Sequence, residues 1–557
     1  MNLKNKSIKD AIHGYIELEE PFWRIVDTAE FQRLKWVEQT SYRVLYPSAR
    51  HDRFIHSIGV YHLGQKAIKG FISNSKESDI EIINKNKNSF LVACILHDVG
   101  HAPFSHTCED LYNYQQKVSN INSGINQELL GHLKEKLEDE VYSDFETDYK
   151  YILSPKGKSP SEHEVMSAIV ASNKFDEFSG YFKQCGEIYI DLDLVVRAVL
   201  GCPYVTNRMD AEEINRTKGI KNCLIRLLNS STVDVDKLDY IARDTQMSGY
   251  DNIVLDTERL LGSVCLVCND NVYYPSFKKS ALSVISNVVL AKNLQAKWIV
   301  NHPIVIYESY ILRRAIGETL KNTSITIDEK EVTGDELIKF IFSSNSLSKQ
   351  GNNFDNGAFN LLSDIEILSL MKHNISIQSV SEYFARNERK SPVWKSNEEF
   401  LFSVGSVDKA EELCSFIAPL VSYFNDIEDL SCAKQIDQSL YEEIRASDEL
   451  EGKEEIIKIL DVIKNYKTKD GKEAEFNYVI LPAKNKFSTK IDSKSIYIRF
   501  NDAEDGYKTY DAFENKQEVA EKNKYEFFYI YSKTKLDAKH FLDYMSNQAH
   551  NNGGIRI

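Results

Sequence analysis

Four residues in three separated stretches form a set able to hold a hydrolytic metal ion. They are His56 in HDRFIHSIGV, the adjacent His97 and Asp98 in LVACILHDVGHAPFSH, and Asp236 in TVDVDKLDYIARD. Two neutral nitrogens and two anionic oxygens suit a divalent metal such as manganese, iron, nickel, zinc or magnesium, with water completing the shell. Such a cation polarises a phosphoryl oxygen and lowers the pKa of a bound water. His101 and His106 follow the His–Asp pair closely, and imidazole titrates near neutrality, which suits proton transfer. One histidine in an apolar helix is more often a satisfied core residue, and Asp236 beside Lys237 alone would read as a solvated helix face. Two adjacent ionisable residues at the end of an apolar run are different, because each needs a partner or a metal. The pair points to an enzyme.

Helices must carry these residues. From about Glu20 to about Leu320 apolar positions recur every three to four residues, as in PFWRIVDTAEFQRLKWVEQ and SFLVACILHDVG. Asp27 and Thr28 read as the end of one helix and the cap of the next. The run from Ser280 to ILRRAIGETL shows the same helical periodicity. VCLVCNDNVYYP predicts a strand pair turning at Asn269, Asp270 and Asn271, with Cys265 and Cys268 in a buried strand rather than a zinc site. The polar stretch 108–160 reads as a surface insertion with one or two helices, and Ser343 to Asn356 as a loop. Strand-like FNYVILPAKN, SKSIYIRFND and EFFYIYSK precede the helical LDAKHFLDYMSNQA. The expected organisation is mostly α: a helical core over 1–330, a helical extension over 331–465, and a small α+β C-terminal domain over 466–557.

Composition narrows the function classes. The chain has 557 residues, 42% hydrophobic, and a formal net charge of -15. That charge disfavours general nucleic-acid binding, which needs a basic face. A polyphosphate ligand then requires local cations, so Arg53, Lys237 and Arg243 stand out. No apolar run is long enough for a membrane span, the polar N-terminus does not resemble a signal peptide, and the nine scattered cysteines suit reduced thiols. A cytoplasmic protein is expected.

Several motifs occur in one order: IKDAIHGYIELEE, DTAEFQRLKWVEQ, HDRFIHSIGVYHLG, LHDVGHAPFSH, SEHEV and DVDKLDYIARD. Together they resemble the HD-domain metal-dependent phosphohydrolases, and among these the deoxynucleoside triphosphate (dNTP) triphosphohydrolases. The resemblance runs from about Lys6 to Asp251 and implies an HD-domain helical core. It assigns His56, His97, Asp98 and Asp236 to the metal. His101 and His163 match active-site histidines, one of which protonates the departing sugar oxygen, with Glu164 orienting His163. Arg53, His106 and Lys237 match residues that hold the triphosphate. Gln39, Tyr240 and Asp244 match residues at the deoxyribose, where a 2′-hydroxyl would crowd, and Tyr310 matches a further substrate tyrosine. Lys6, Asp27, Gln32 and Lys35 match a site for an activating nucleotide. Glu109 stands where relatives often carry Asp, and His302 falls at a family arginine. The resemblance implies a homo-oligomeric dNTP triphosphohydrolase under nucleotide control, with dNTP depletion, including defence against phage, as its use. A phosphodiesterase or nucleotidase for a signalling nucleotide and a nucleotide-sensing regulator are the alternatives.

Overall fold

The computed structural model describes residues 5–40, 42–113, 124–186, 188–205, 212–250, 254–269, 272–327, 330–342, 361–426, 435–448, 450–482, 492–501, 506–512 and 527–552. The fold is mostly helical with small sheets, as expected. The chain forms two compact units. The first comprises 1–295, 324–368 and 488–516, and the second comprises 296–323, 369–487 and 517–557.

The first unit opens with a hairpin of β1 (Lys6–Asp10) and β2 (Gly14–Leu18), in which Ile8 faces Ile16. Gly14 has φ +77°, a conformation that side chains strain, so the tight turn relies on glycine. Next come α1 (Glu20–Val26) and α2 (Ala29–Gln32). Thr28 does stand at the cap of α2, but its hydroxyl donates to Ile25 O at 2.7 Å instead of accepting from the helix. The N-terminus of α3 (Arg53–Ser73) is closed by Asp52, which accepts from Ile55 N at 3.0 Å. Helix α3 packs along α4 (Glu77–Leu96), whose C-terminal residue is followed directly by His97.

The 108–160 stretch holds α5 (Ile125–Lys136) and α6 (Asp139–Leu153), the helices expected there. It is not merely surface. Leu129, Leu133, Phe145 and Tyr149 are buried, and Asp148 accepts from the buried Arg197 guanidinium at 2.8 Å. The amphipathic spacing within this charged segment supplies one packed apolar face, and Asp148 is buried because Arg197 pairs with it. Helices α7 (Glu162–Asn173), α8 (Phe175–Gln184), α9 (Leu192–Leu200), α10 (Glu212–Leu228) and α11 (Val235–Ser248) complete the core around the site. Asp234 caps α11 by accepting from Lys237 N at 2.8 Å.

After α12 (Thr257–Leu261), β3 (Val264–Asn269) and β4 (Val272–Lys278) form the expected hairpin; Asp270 and Asn271 lie outside the described residues. Cys265 is buried and Cys268 is exposed, so the strand buries only one of the two thiols. The run beginning near Ser280 is helical, as its periodicity predicts, and is divided by a turn. It holds α13 (Leu282–Gln295) in the first unit, then a π-turn over Ala296–Val300 and α14 (Pro303–Lys321) in the second. Pro303 starts a helix readily and cannot continue one. The first unit also contains the hairpin of β5 (Ser324–Ile327) and β6 (Lys330–Thr333). The Ser343–Asn356 stretch lies outside the described residues.

The second unit contains a sheet ordered β7 (Ser391–Pro392), β12 (Phe528–Ser532), β9 (Tyr478–Pro482) and β8 (Gln435–Ile436). Buried Trp394 beside it donates Nε1–H to Phe528 O at 3.2 Å. The stretch 466–557, expected as a small α+β C-terminal domain, contributes strands to two sheets. Its strands β9 and β12 join this sheet, whereas β10 (Tyr497–Arg499) pairs in parallel with β4 of the first unit and β11 (Tyr507–Thr509) extends that sheet. Such long-range pairing leaves no local sequence signal. No helix among the described residues is long and apolar enough to cross a membrane.

Candidate active site

The first turn of α3, the end of α4 and the first turn of α11 bring the four expected metal ligands together. His56 Nε2, His97 Nε2 and an Asp236 carboxylate oxygen lie within 4.8 Å of one another. His56 Nε2 is 3.1 Å from Asp236 Oδ1, and the two Nε2 atoms are 3.3 Å apart. Asp98 stands 3.5 Å from each imidazole, through Oδ2 to His56 and Oδ1 to His97. The other ring nitrogens are engaged: His56 Nδ1 donates to Asp239 Oδ2 at 2.7 Å, and His97 Nδ1 donates to Cys94 O at 3.0 Å. Both rings can therefore offer Nε2 lone pairs inward, the arrangement a metal-binding histidine needs. Burial opposes charge on His56, but Asp236, Asp239 and Asp98 together raise its pKa to about 9. So much negative charge around two imidazoles fits a divalent cation. The Asp236 side chain is 32% exposed, which leaves the set open to a ligand.

A second cluster adjoins it. His101 and His163 stack at 3.9 Å with their planes 13° apart, and His106 packs edge-on to both. Glu109 joins them, accepting from His163 Nδ1 at 2.9 Å and His106 Nδ1 at 2.5 Å. Burial disfavours charge on His163, yet Glu109 raises its pKa to about 8. His101 goes the other way: burial, Arg53 and His163 all push its pKa well below the ordinary value. Two stacked imidazoles thus differ, one protonated and one neutral at pH 7. Asp98 Oδ1 lies 3.2 Å from His101 Nε2 and links the clusters.

Glu164, expected to orient His163, makes its hydrogen bonds elsewhere. Its carboxylate completes a capping box, accepting from Ser161 N at 2.6 Å and from Asn229 Nδ2 at 2.6 Å. The S-x-x-E pattern of Ser161 to Glu164 is itself a capping signature, so the sequence did contain this alternative. Replacing Glu164 with alanine is expected to cost about 1 kcal/mol of stability, the scale of a capping-box element. Urea unfolding checks this, and an unchanged midpoint would remove the capping role.

Further residues build the site around the two clusters. Arg53, expected at the triphosphate, donates to Asp98 Oδ2 at 2.7 Å, Ser105 Oγ at 3.0 Å and Gln39 O at 3.3 Å. Burial works against ionisation of Asp98, but Arg53, His97 and His101 hold its carboxyl well below the usual range. Phe104 and Ser105 both have positive φ, 57° and 51°, in the turn between His101 and His106. Asp364 anchors that turn by accepting from Phe104 N at 2.7 Å and from Glu38 N at 2.9 Å. Arg33 binds the same loop, donating to Val99 O at 2.9 Å and His101 O at 2.8 Å.

The remaining expected residues differ in availability. His106 is 66% exposed at its side chain, accessible to a ligand. Gln39 Oε1 is buried without a hydrogen-bond partner. Tyr240 lies under Lys292, 4.2 Å from its ring centroid, and Asp244 is held by His51 at 2.8 Å and Gln295 at 2.5 Å. Lys237 points to its own helix start, bonded to Asp234 at 2.5 Å and Ser230 O at 2.8 Å. Tyr310 lies on α14 in the second unit, where Arg314 Nη1 is 3.5 Å from its hydroxyl. The expected activator residues form two pairs. Lys6 binds Asp27 at 2.5 Å, and Lys35 donates to Gln32 Oε1 at 2.7 Å.

His56, His97 and Asp236, with Asp98 3.5 Å from each imidazole, form a group able to hold a divalent metal. Residues 53–177 match the HD domain, so the chain carries one. Over the HD region it is 42% identical across 103 residues to the deoxynucleoside triphosphate triphosphohydrolase SAMHD1 of Xenopus laevis, covering 18% of this chain and 16% of that protein. It is also 24% identical over 325 residues to the protein MJ1154 of Methanocaldococcus jannaschii, covering 58% of this chain and 52% of that one. With the protein YwfO of Bacillus subtilis the identity is 23% over 316 residues, covering 56% and 55%. The matched stretches thus span about half of the two longer-matching relatives and a much smaller part of SAMHD1.

Proposed function

We propose that the chain is a metal-dependent phosphohydrolase that cleaves dNTPs to a deoxynucleoside and inorganic triphosphate. The observation that carries this reading is the contact, through Asp98, of a four-residue metal set with the His101, His106, His163 and Glu109 cluster. The 42% identity to a triphosphohydrolase over the HD region supports it. His56, His97, Asp98 and Asp236 would hold manganese, iron, nickel, zinc or magnesium. When bound, the cation supplies Lewis acidity to a phosphoryl oxygen and to attacking water.

The chain's own residues supply the rest. His163 is charged at neutral pH because Glu109 holds its Nδ1–H, and its Nε2–H, in a long contact with Ser161 Oγ at 3.4 Å, protonates the departing sugar 5′-oxygen. His101 stays neutral beneath it and fixes its plane. Arg53 and the exposed His106 line the side suited to phosphate oxygens, and Lys237 joins them by releasing Asp234. Gln39, Tyr240 and Asp244 form the sugar contact, and the unsatisfied Gln39 Oε1 is an acceptor ready for a hydroxyl. Tyr310 takes the further substrate role, and Lys6, Asp27, Gln32 and Lys35 bind an activating nucleotide that favours a homo-oligomer. Depletion of dNTPs, as in phage defence, follows from the reaction.

Incubating the manganese-loaded chain with each dNTP, alone and in pairs, tests substrate and control together. Deoxynucleoside release that one dNTP stimulates for another is expected, with the matching ribonucleotides turned over poorly. Turnover confined to a cyclic or signalling nucleotide, or binding without turnover, would replace this reading.

A further inference from the structure

The N-terminal hairpin precedes the 53–177 HD match, yet its side chains reach Asp239, the partner of His56. Asp10 ends β1, and its Oδ1 accepts from Ile12 N at 2.8 Å and His13 N at 2.6 Å, which shapes the turn. Its Oδ2 accepts from Arg243 Nη1 at 2.8 Å. His13 Nε2–H donates to Asp239 Oδ1 at 2.6 Å. Asp239 Oδ2, in turn, accepts from His56 Nδ1 at 2.7 Å. Arg243 spans both Asp239 oxygens, with Nε and Nη2 each at 2.9 Å. Asp10, Asp239 and Arg243 are all buried, and the His13 side chain is only 4% exposed.

This network leaves no slack. A Cβ at Gly59 would lie 2.0 Å from Asp239 Oδ1 and 2.6 Å from Arg243 Nη2, so α3 approaches Asp239 only because position 59 is glycine. Four donors converge on the Asp239 carboxylate. His13 supplies one of them from outside the helices, and Asp10 holds the guanidinium that supplies two more. The fourth is the His56 Nδ1–H whose orientation determines where Nε2 points.

We propose that His13 and Asp10 are positioning residues of the metal site. Through Asp239 they keep His56 in the tautomer and plane that present Nε2 to a divalent cation. The inference rests on the metal reading of His56, His97, Asp98 and Asp236, and on no assumption about the substrate. Partners one step removed from metal ligands typically change metal affinity by about 10–100-fold when lost.

The test is Mn²⁺ affinity of the full chain without nucleotide, measured by competition with a chromophoric chelator. His13→Ala and Asp10→Asn should each weaken binding about 10-fold or more, and His13→Gln, which restores a donor near the Nε2 position, should recover most of it. Lys9→Ala, an exposed change on the same strand, should leave affinity unchanged. Where His13→Ala does not fold, Asp10→Asn and His13→Gln still carry the comparison. Affinity within about 2-fold of the parent in folded His13→Ala and Asp10→Asn chains, on a scale where outer partners give at least 10-fold, would overturn the inference. Equal weakening by Lys9→Ala would do so too, by reducing the effect to loosening of the hairpin. A parent chain that takes up no Mn²⁺ would sink the metal reading itself, a result distinct from either.

Discussion

Replacing His97 with alanine is expected to abolish turnover and most bound metal while the helical fold persists. His97 contributes one of the two inward Nε2 atoms, and its other nitrogen bonds only the Cys94 carbonyl of its own helix end. Its loss removes a ligand without stranding a buried charge. Asp98→Ala should be as inactive and less stable, because Arg53 is buried and donates to Asp98 Oδ2. Removing one partner of a buried ion pair costs about 3–5 kcal/mol. Loss of the cation's stabilisation should lower turnover by about three orders of magnitude or more. Elemental analysis, circular dichroism and turnover on the same preparations separate these effects. Full activity in a metal-free His97→Ala chain would contradict the assignment.

Removing the acid should act differently. His163→Ala is expected to lower kcat by about 10²–10⁴-fold with a much smaller change in substrate binding. The pH dependence has a definite sign. The His163 pKa is raised from 6.5 to about 8, so the active cation persists through neutral pH and is lost as pH rises past about 8. The rate should fall on that limb. The same contact contributes stability below about pH 6.5 that disappears as pH rises through about 8. Glu109→Gln withdraws the charge that raises it, after burial has pushed it down, and should move the limb to lower pH by about one unit. A limb that stays in place in Glu109→Gln would show that another group is the acid.

The sequence made the metal set and much of the surrounding helix pattern readable for a physical reason. His56 and Asp236 each sit in the first turn of a helix with an Asp N-cap, Asp52 and Asp234, and His97 closes an apolar helix. Caps, apolar periodicity and adjacent ionisable residues are all local signals. What remained hidden is non-local. Asp364 accepts backbone N–H groups from residues 38 and 104, and a carboxylate with that task looks like any other acidic residue. Burial raises its pKa to about 7 even with those donors present, a cost invisible in sequence. Two roles fit the letters around Glu164, the cap and the catalytic partner, and its hydrogen bonds are those of the cap. Glu109 took the second, since the short helical turn after His106 aims it at both imidazoles. The C-terminal strands were readable as strands, but their division between two sheets depends on distant partners, β4 for β10 and β7 for β12.

The most direct measurement of the central claim is the fate of each phosphorus and oxygen atom when the metal-loaded chain meets a dNTP in ¹⁸O-labelled water. Attack at the α-phosphorus, with His163 protonating the sugar oxygen, yields unphosphorylated deoxynucleoside and inorganic triphosphate carrying one label. Pyrophosphate with a deoxynucleoside monophosphate, or label in the deoxynucleoside, would contradict the account.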